Sequence, residues 1–390
     1  MKLDIDTLRA EAGGIHDQTR VVANRVYYDQ AIYEAEIENI FSRSWNLLCH
    51  ESEVAEPGQF LTMRLADSPI VMVRGKDRRL RAFYNTCRHR GARVVMEECG
   101  QKTSLRCAYH FWVYNLEGEL IGIPGEDAYD GTGFRKEDFP LVELRCETMF
   151  GLVFVNPDLR AMPLEEWLGE EIIETLRTPL SLAEYTVTTI RSTELAVNWK
   201  VFAENARDGY HVPFVHPFFL KASPPGEYKL CANGHAVQRV GIDRNGMTEE
   251  LWDAMQRDRL PGMGPLDGYV MNLFPDGFLM VRCNFVAIDV QHRSDPTHLR
   301  FEERQLGVNG ETPDVTERRA MGQKAFLWDA LNAEDFPIFA AQQEGVMSRG
   351  VANSIIARGR DTTTGLRGDD NRLRHFWRQW REMMGTDRNA

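Results

Sequence analysis

Two short segments each pair a cysteine with a histidine, and 17 residues separate them. The first is Cys87-x-His89 and the second is Cys107-x-x-His110, with residues 90–106 between them. Two thiolates and two imidazoles can surround one small inorganic centre when two hairpin loops present them together. This pattern constrains the fold strongly, because it requires two loops that lie side by side.

Structural zinc and a [2Fe–2S] cluster both accept such a ligand set. Zinc sites of this composition commonly place both cysteines in one segment and both histidines in the other. Here each segment contains one of each, which favours a Rieske cluster, because each of its two irons needs a matched pair of ligands drawn from both loops. We interpret the other cysteines as structural thiols: Cys49, Cys99, Cys146, Cys231 and Cys283.

A second candidate metal site lies in the segment DGYHVPFVH, residues 208–216. On a helix, Asp208 and His211 would share one face, whereas His216 would lie about 140° from His211 around the axis. Because Pro213 lacks an N–H group and restricts the residue before it, we expect the helix to end near His211, with His216 on the following loop. From this segment alone, a metal site such as that of a zinc hydrolase and a pair of surface histidines both remain open.

The composition excludes several classes of protein. The chain of 390 residues has a formal net charge of -12, which argues against nucleic acid as a partner. No run approaches about 18 apolar residues, so we expect no membrane-spanning segment, and the acidic N-terminus is unlike a signal peptide. Seven cysteines, an odd number spread from Cys49 to Cys283, do not form the pattern of a secreted disulfide framework. We therefore expect a cytoplasmic protein.

The pattern of predicted elements changes near residue 160. Before it, short strands and turns predominate, with hairpins predicted at 69–85 and 111–124. After it, helical stretches alternate with longer strands such as GFLMVRCNFVAIDV (277–290), which predicts an antiparallel sheet with helices. The prediction is an α+β protein with two domains. The first is an all-β domain at 39–160, and the second combines 1–38 with 161–390.

The two motifs together resemble those of the large terminal-oxygenase subunit of the Rieske non-haem iron aromatic-ring-hydroxylating oxygenases. The resemblance covers nearly the whole chain, and the ENxxDGYHV form within residues 198–216 is similar to the benzoate and anthranilate branch. It implies a Rieske [2Fe–2S] domain and a helix-grip-like catalytic domain. One segment departs from the family, which usually has Cys-Pro-Tyr-His-Gly-Trp where this chain has CAYHFW (107–112). The ligands are unchanged, and the departure concerns loop rigidity and cluster potential.

The resemblance implies which residues bind metal. The cluster ligands would be Cys87, His89, Cys107 and His110. His211 and His216 would bind a mononuclear Fe(II), and Asp208 would not be a ligand. Non-haem iron oxygenases combine two histidines with one carboxylate and leave positions open for O2. A carboxylate ligand is therefore expected elsewhere in the chain.

We predict that carboxylate in the segment LNAEDFPIFAAQQEG (331–345). Asn332 can cap a helix there, which places Glu334 and Asp335 in its first turn. In the family, an acid at this place is followed by a glutamine and then a glycine, and Asp335, Gln343 and Gly345 fit that order. We predict Asp335 as the ligand, with Glu334 and Asp329 as alternatives.

The resemblance also implies a reaction and its partners. No GxGxxG or other nucleotide-binding fingerprint appears, so electrons from NAD(P)H would arrive through a separate reductase, with or without a ferredoxin. In the family the Rieske cluster passes electrons to the mononuclear iron, and one or two atoms of O2 enter an aromatic substrate. A homotrimer is implied, with or without a small β subunit, because cluster and iron within one chain are too far apart. Asp208 would then bridge His211 and a cluster histidine of the neighbouring subunit.

Residues that flank the second motif are candidates for an apolar substrate pocket. They are Phe202, Asn205, Val212, Phe214, Phe218 and Phe219. Further candidates on strands are Met271, Leu273 and Phe278. Arg207 and Lys221 could hold the carboxylate of a benzoate-like substrate.

Several functions remain open at this point. Ring dihydroxylation, monohydroxylation and oxidative N- or O-demethylation share the same metal apparatus. A zinc-dependent hydrolase or a zinc-stabilised binding module is a more distant alternative. The oxygenase would be red-brown and contain acid-labile sulfide, whereas a zinc protein would be colourless and free of sulfide.

Overall fold

The computed structural model describes residues 20–177, 182–216, 225–241, 244, 248–357 and 370–385. The chain divides into two compact units. One is Phe41–Ala161, and the other combines Met1–Ile40 with Met162–Ala390. In the described parts of the chain, every helix is too short or too polar to cross a bilayer.

Short antiparallel strands dominate the unit Phe41–Ala161. In chain order they are β2 (Asn46–His50), β3 (Gln59–Leu65), β4 (Ser68–Arg74), β5 (Leu80–Tyr84), β6 (Cys99–Gln101), β7 (Leu105–Arg106), β8 (Val113–Tyr114), β9 (Leu120–Gly122), β10 (Glu143–Met149) and β11 (Leu152–Asn156). One sheet has the strand order β2-β11-β10-β5-β4-β3-β6, and a second has the order β7-β8-β9. This unit is the predicted all-β part of the chain.

Both predicted hairpins are present in this unit. β4 pairs with β5, and Gly75 N donates to Arg79 O at 2.8 Å to close the turn between them. β8 pairs with β9 around a turn in which Asn115 N donates to Glu119 O at 2.9 Å. Alternating side chains from these strands pack with Cys87 and Cys107 in one hydrophobic cluster. The hairpins therefore hold the two cysteine-containing loops on a shared core.

The second unit is built on a larger antiparallel sheet. Its strands are β12 (Tyr185–Leu195), β13 (Pro225–Leu230), β14 (Ala236–Val240), β15 (Gly268–Leu273), β16 (Gly277–Arg282), β17 (Phe285–Asp295) and β18 (His298–Val308), and a separate pair is β1 (Arg20–Ala23) with β19 (Asn353–Ile356). The sheet order is β12-β18-β17-β16-β15-β14-β13. The segment predicted as one long strand at 277–290 is two strands, because Cys283 and Asn284 form a turn between β16 and β17.

Helices accompany this sheet, as predicted for an α+β unit. They are α1 (Gln30–Glu36), α2 (Leu164–Leu168), α3 (Glu170–Thr175), α4 (Trp199–Asn205), α5 (Val212–Val215), α6 (Glu249–Arg257), α7 (Pro313–Gln323), α8 (Ala333–Val346) and α9 (Asn371–Met383). A π-helical segment, Lys324–Asn332, joins α7 to α8.

Gln343 fixes the position of α8 relative to α4. Its Oε1 accepts a hydrogen bond from Asn198 N at 2.9 Å, and its Nε2 donates to Tyr27 O at 3.2 Å. Asn198 is also the N-cap of α4, since its side chain accepts from Lys200 N. Because Gln343 is buried, these bonds are shielded from water. They bring together the two helices from which the second candidate site is built.

Candidate active site

The first cysteine loop is a tight turn around Cys87. Cys87 N donates to Ala92 O at 2.8 Å, and Gly91 N donates to Cys87 O at 3.0 Å. Gly91 adopts φ +74°, a left-handed conformation that glycine reaches without steric cost. Asn85 secures the rest of the loop, because its Oδ1 accepts from Val95 N at 2.9 Å while its Nδ2 donates to Val95 O at 2.7 Å.

The second cysteine loop repeats this geometry around Cys107. Cys107 N donates to Trp112 O at 2.9 Å, and Phe111 N donates to Cys107 O at 3.0 Å. Phe111 occupies the position equivalent to Gly91 and adopts φ +58°. A residue with a Cβ atom is strained in this conformation. The family usually has glycine at the position of Phe111, directly after the histidine. This turn favours glycine at that position because the backbone there is left-handed.

The four predicted cluster ligands lie on these two loops. Cys87 and Cys107 are buried, whereas His89 and His110 are partly exposed and their ring centroids are 4.5 Å apart. Burial raises the pKa of the Cys87 thiol, and Tyr114 Oη lies 3.5 Å from its Sγ atom. His89 Nδ1 is buried and has no hydrogen-bond partner in the described residues. Two buried thiols beneath two adjacent imidazoles fit a cluster bound by sulfur on one iron and nitrogen on the other.

The five remaining cysteines are free of disulfides and differ in burial. Cys49, Cys231 and Cys283 are buried, and Cys146 is half-buried. Cys99 differs from these four because it is exposed on β6 and does not belong to the core. The edge position of β6 in the sheet explains this exposure.

The helix that was predicted to reach His211 ends earlier. α4 stops at Asn205, and His211 instead directly precedes the short helix α5. Pro213 lies in the first turn of α5, where a missing N–H group costs no helical hydrogen bond. Pro213 therefore lies at the start of a helix. The sequence had instead predicted that it would end the preceding helix. His216 follows α5, so both histidines flank one helical turn, and their ring centroids are 5.3 Å apart.

Three predicted iron ligands converge in the second unit. The candidate ligand atoms of His211, His216 and Asp335 all lie within 4.8 Å of one another. Asp335 Oδ1 is 3.1 Å from Nε2 of His216 and 3.9 Å from Nε2 of His211. Asn205 Nδ2 lies 3.4 Å from the same Asp335 oxygen. Two imidazoles and one carboxylate on one side of a centre are the donor set that non-haem Fe(II) prefers.

Each histidine of this group contacts a second acid through its other ring nitrogen. His211 Nδ1 is 3.1 Å from Asp208 Oδ2, and His216 Nδ1 is 2.7 Å from Glu334 Oε2. Such carboxylates select the tautomer that leaves Nε2 available to a metal. Glu334, an alternative ligand in the sequence interpretation, therefore lies on the outer side of His216. The other alternative, Asp329, forms an ion pair with Lys324 at 2.7 Å.

Helix α8 begins at Ala333, as predicted, but Asn332 does not cap it through its side chain. Asn332 has helical dihedrals and no capping hydrogen bond, because the π-helical segment Lys324–Asn332 continues directly into α8. Asp335 is therefore inside a continuous helical stretch, where N–H groups are already bonded and a dipole-complementing role is weak. π-helical turns widen a helix locally and are frequent at functional sites. Asn332 instead lines the cavity that contains Asp335.

A cavity of about 250 Å³ opens onto this group of three residues. Benzene fits an engineered cavity of about 150 Å³ in another protein, so one substituted ring can be accommodated here. Its apolar walls are Phe202, Val212, Val270, Phe278, Met280, Leu327, Leu331 and Phe339. Its polar lining, besides the three residues and Asp208, includes Asn205, Gln238, Asp289, Glu303 and Arg372.

Some of the predicted pocket residues line the cavity and others do not. Phe202, Asn205, Val212 and Phe278 line the cavity, and Phe218, Phe219 and Lys221 lie outside the described residues. Phe214 does not line it and is 63% exposed, because the single turn of α5 directs its side chain away from the cavity. Met271 and Leu273 are buried in the core. Arg207 is also excluded, since it is buried beside the Phe376 ring and donates to Ala203 O at 2.7 Å.

Sequence reasoning missed three charged residues of the cavity: Asp289, Glu303 and Arg372. All three are buried. Asp289 and Glu303 stand in strands with long buried runs, and a buried acid in such a run is a sequence signal for a special role. Arg372 belongs to a C-terminal helix rich in arginine, where nothing in the sequence separates it from its solvated neighbours.

The sequence matches two protein-family models. Residues 44–142 match the Rieske [2Fe-2S] domain, and residues 182–386 match the catalytic domain of the ring hydroxylating alpha subunit. The two domains imply a Rieske cluster and a mononuclear iron, in agreement with the residues that fit each of them.

Similar proteins cover the chain almost completely. The alpha subunit of 2-aminobenzenesulfonate 2,3-dioxygenase from Alcaligenes sp is 32% identical over 95% of this chain and 95% of its own. The terminal oxygenase component subunit alpha 2 of terephthalate 1,2-dioxygenase from Comamonas sp is 29% identical over 97% of this chain and 96% of its own. A solved quaternary ammonium Rieske monooxygenase shares the fold, with a TM-score of 0.79, 23% identity, and coverage of 98% and 99%.

These matches decide between the oxygenase and the zinc alternatives. They cover both metal-binding motifs, and the relatives include dioxygenases and monooxygenases. Family members are terminal oxygenases that work with reductase or ferredoxin partners and form oligomers. The chain belongs to the Rieske non-haem iron oxygenases, as the alpha subunit of a ring-hydroxylating terminal oxygenase.

Proposed function

We propose that the described cavity binds an anionic aromatic substrate and that ring oxygenation occurs beside His211, His216 and Asp335. The observation that carries this proposal is the cavity itself, which joins the three-residue group to apolar walls and to Arg372. The three residues would hold the mononuclear iron through their converging ligand atoms. When bound there, an iron ion would supply the activation of O2, with electrons that would arrive through the Rieske cluster.

Arg372 supports an anionic substituent on the substrate. It is 5% exposed, lines the cavity, and donates through Nη1 to Gln238 Oε1 at 2.7 Å. Its guanidinium also lies 5.7 Å from the centroid of the Tyr228 ring. A guanidinium held in one orientation can bind a carboxylate or sulfonate through two parallel hydrogen bonds. Two relatives that cover nearly the whole chain are named for aromatic substrates with an anionic ring substituent, 2-aminobenzenesulfonate and terephthalate.

The apolar walls would position the ring and exclude water. Phe202, Phe278 and Phe339 are buried around the cavity, and Phe202 packs edge-on against the other two rings at 6.0 and 6.1 Å. Edge-to-face packing fixes aromatic side chains in one arrangement. A substrate ring held against these phenylalanines can contact the side of the cavity formed by His216 and Asp335.

We propose four cluster ligands and one bridging residue on the basis of the loop geometry. The cluster ligands are Cys87, His89, Cys107 and His110. Asp208, which holds His211 Nδ1, would bridge to the Rieske histidine of a neighbouring subunit and so serve electron delivery. This role requires an oligomer, and we propose a homotrimer, with or without a small β subunit.

Three further assignments are part of the proposal. The cluster domain would comprise 39–160, and the catalytic domain would combine 1–38 with 161–390. Electrons from NAD(P)H would arrive through a separate reductase, with or without a ferredoxin. The seven free cysteines support a reducing compartment, the cytoplasm.

A substrate screen tests the reaction and the anionic group together. Purified oxygenase with a reductase system would be supplied with benzoates, benzenesulfonates and neutral arenes. The masses of the products would be measured by mass spectrometry. A gain of two oxygen and two hydrogen atoms identifies dihydroxylation, a gain of one oxygen identifies monohydroxylation, and release of formaldehyde identifies demethylation. Turnover of neutral arenes alone would contradict the anionic substrate.

A pair of arginine variants tests the anion site. Arg372→Gln should raise KM for an aromatic acid by at least about tenfold, the effect of losing a charged hydrogen-bond donor. Arg378→Gln, at an exposed position on the same helix, removes the same charge outside the cavity and should leave KM unchanged. An unchanged KM in Arg372→Gln would assign the anion to another residue.

A further inference from the structure

Asp289 is a buried carboxyl group without a partner among the residues that the structure describes. It is 5% exposed, lines the cavity, and forms no hydrogen bond or ion pair with any residue that the structure describes. Buried polar groups in folded proteins are nearly always hydrogen-bonded, and an unpaired carboxyl group destabilises the fold. An exception on the wall of a substrate cavity indicates a group whose partner arrives with the ligand.

Glu303 lies directly opposite Asp289 on the neighbouring strand. Its carboxylate is held in place by Trp328 Nε1 at 2.7 Å and Gln323 Nε2 at 2.9 Å, with Arg191 Nη1 at 3.8 Å. Acids directly opposite each other in antiparallel strands repel. Glu303 has its own protein partners, whereas Asp289, which faces it, has none within the described part of the chain.

The chemical state of this pair follows from burial. Burial and the adjacent Glu303 raise the pKa of Asp289 well above its ordinary value, and burial raises the pKa of Glu303 to about 7. Such a pair retains a proton or gains a donor when it is desolvated. Both changes relieve the repulsion between the two carboxyl groups.

A packing role does not explain an acid at position 289. Phe278, the neighbour of Asp289 on β16, is apolar and lines the same cavity, and Ala287, two positions away on the same face of β17, is apolar as well. An apolar side chain at 289 would continue the same wall without an unpaired oxygen. The acid therefore costs stability in the unliganded protein, which is a common feature of binding sites.

We propose that Asp289, with Glu303 beside it, binds an amino substituent on the aromatic substrate. This inference rests on the proposed function and specifies its substrate class. An aromatic amino group has two N–H donors, enough for one hydrogen bond to each carboxyl group, whereas a phenolic hydroxyl has one. With Arg372 in the same cavity, the site is suited to an arene that carries both an amino and an acidic group.

Binding to the holoenzyme without O2 tests the inference separately from turnover. The ligands are matched pairs: aniline with toluene, and each isomer of aminobenzoate with the corresponding methylbenzoate. The amino and methyl groups are similar in size, so the ratio of their dissociation constants reports hydrogen bonding. In anaerobic calorimetry, the wild type should bind the amino member of at least one pair at least about tenfold more tightly than the corresponding methyl ligand.

The substitution Asp289→Leu removes the acceptors at similar volume. The preference for the amino member should fall to within about twofold, while the methyl member binds at least as tightly as in the wild type. The melting temperature should rise, because an unpaired buried carboxyl group is replaced by an apolar side chain. Asp253→Leu, at an exposed position on α6, should change neither the preference nor the affinity.

Two results would overturn the inference. One is equal binding of amino and methyl members by the wild type, and the other is an unchanged amino preference in Asp289→Leu. In both cases an aromatic ligand still binds, so the proposed function stands. Failure of every aromatic ligand to bind, together with absence of turnover, would instead remove the proposed function and the inference with it.

Discussion

Glu334 Oε2 lies 2.7 Å from Nδ1 of His216, while the residue after it, Asp335, faces Nε2 of the same ring at 3.1 Å. Two consecutive acids on α8 thus contact opposite nitrogens of one imidazole. The inner acid also lies near His211, at 3.9 Å. The outer acid holds the ring, and the inner acid shares the candidate metal centre with it.

This arrangement predicts different metal contents for two neighbouring variants. Asp335→Ala removes a ligand, so iron should fall from about three to about two per protomer, the two of the [2Fe–2S] centre. Glu334→Ala removes only an outer partner and should weaken iron binding by about 10- to 100-fold, with iron restored at high Fe(II). Metal analysis and the cluster absorbance distinguish these outcomes. If Glu334→Ala loses the iron and Asp335→Ala keeps it, the ligand has been misassigned by one residue.

The cluster assignment is tested at Cys107, the buried thiol of the second loop. A hydroxyl is a poor substitute for a thiolate as a cluster ligand, so Cys107→Ser should lose the visible absorbance and the acid-labile sulfide. Cys49→Ser is the matched control, because Cys49 is also buried in the same unit but lies on β2. We expect its spectrum to match that of the wild type. Full absorbance in Cys107→Ser would contradict the assignment.

The two cysteine loops permit a reciprocal test of backbone strain. Phe111 has φ +58° and is 53% exposed, so Phe111→Gly relieves strain and loses little packing. We expect the free energy of unfolding to rise by about 0.5–1 kcal/mol. Gly91→Ala should lower it by about 1 kcal/mol through strain alone, because nothing lies within 4 Å of an added Cβ atom. Urea unfolding measures both, and changes of the same sign would contradict the equivalence of the two turns.

The candidate ligand residues could be selected from the sequence because metal chemistry fixes residue types and spacing over short segments. Cys87 and His89, and likewise Cys107 and His110, could be selected without any knowledge of how the chain packs. The end of α4 at Asn205 could not be predicted, because the turn that follows it is formed by Ala206 and Arg207, two residue types that favour helices. Similarly, the π-helical segment before Asp335 has no sequence signature distinct from an α-helix.

The polar part of the cavity illustrates a second limit of sequence reasoning. Asp289 and Glu303 become neighbours only through the register of β17 and β18, and a shift of one residue would turn either side chain to the opposite face. The register depends on contacts along both strands. Sequence can flag an acid in a buried strand, but the pairing requires the fold.

His235 gives a prediction for pH dependence in the second unit. Its Nε2 atom donates to Trp167 O at 2.9 Å and its Nδ1 accepts from Phe274 N at 2.8 Å, so the ring is neutral. Burial lowers its pKa to about 3, and the nearby positive charge of Arg207 acts in the same direction. Below the unfolded pKa of about 6.5, the unfolded chain binds a proton that the folded chain excludes. Stability from this group is therefore complete above that pH and is lost as pH falls.

The measurable consequence is a slope in stability. Between about pH 6 and pH 4, His235 should lower the free energy of unfolding by about 1.4 kcal/mol per pH unit. His235→Gln cannot titrate, so its unfolding free energy should fall less steeply by that amount, although it is less stable at pH 7. Urea unfolding of both proteins at several pH values gives the difference. Parallel curves would show that His235 is protonated in the folded protein.

Asp208 provides the sharpest test of electron delivery. Its Oδ1 accepts from Tyr210 N at 2.6 Å, a bond that asparagine can keep, and its Oδ2 faces His211 Nδ1 at 3.1 Å. Asp208→Asn therefore preserves the turn and removes the negative charge beside the imidazole. We expect both metal centres and the melting temperature to be retained, because Asp208 is not a proposed ligand. Steady-state turnover should fall by at least about tenfold, the scale of a lost outer partner of a metal-binding histidine.

The kinetics of the cluster separate a bridging role for Asp208 from a structural one. Reduction of the cluster by an artificial donor should occur at the wild-type rate, since that step does not involve Asp208. Reoxidation of the cluster with substrate and O2 should slow in parallel with turnover. Asp253→Asn, an exposed change of the same kind on α6, should leave both rates unaltered. Near-normal turnover in Asp208→Asn would reduce Asp208 to a turn residue and remove the intersubunit bridge from the proposal.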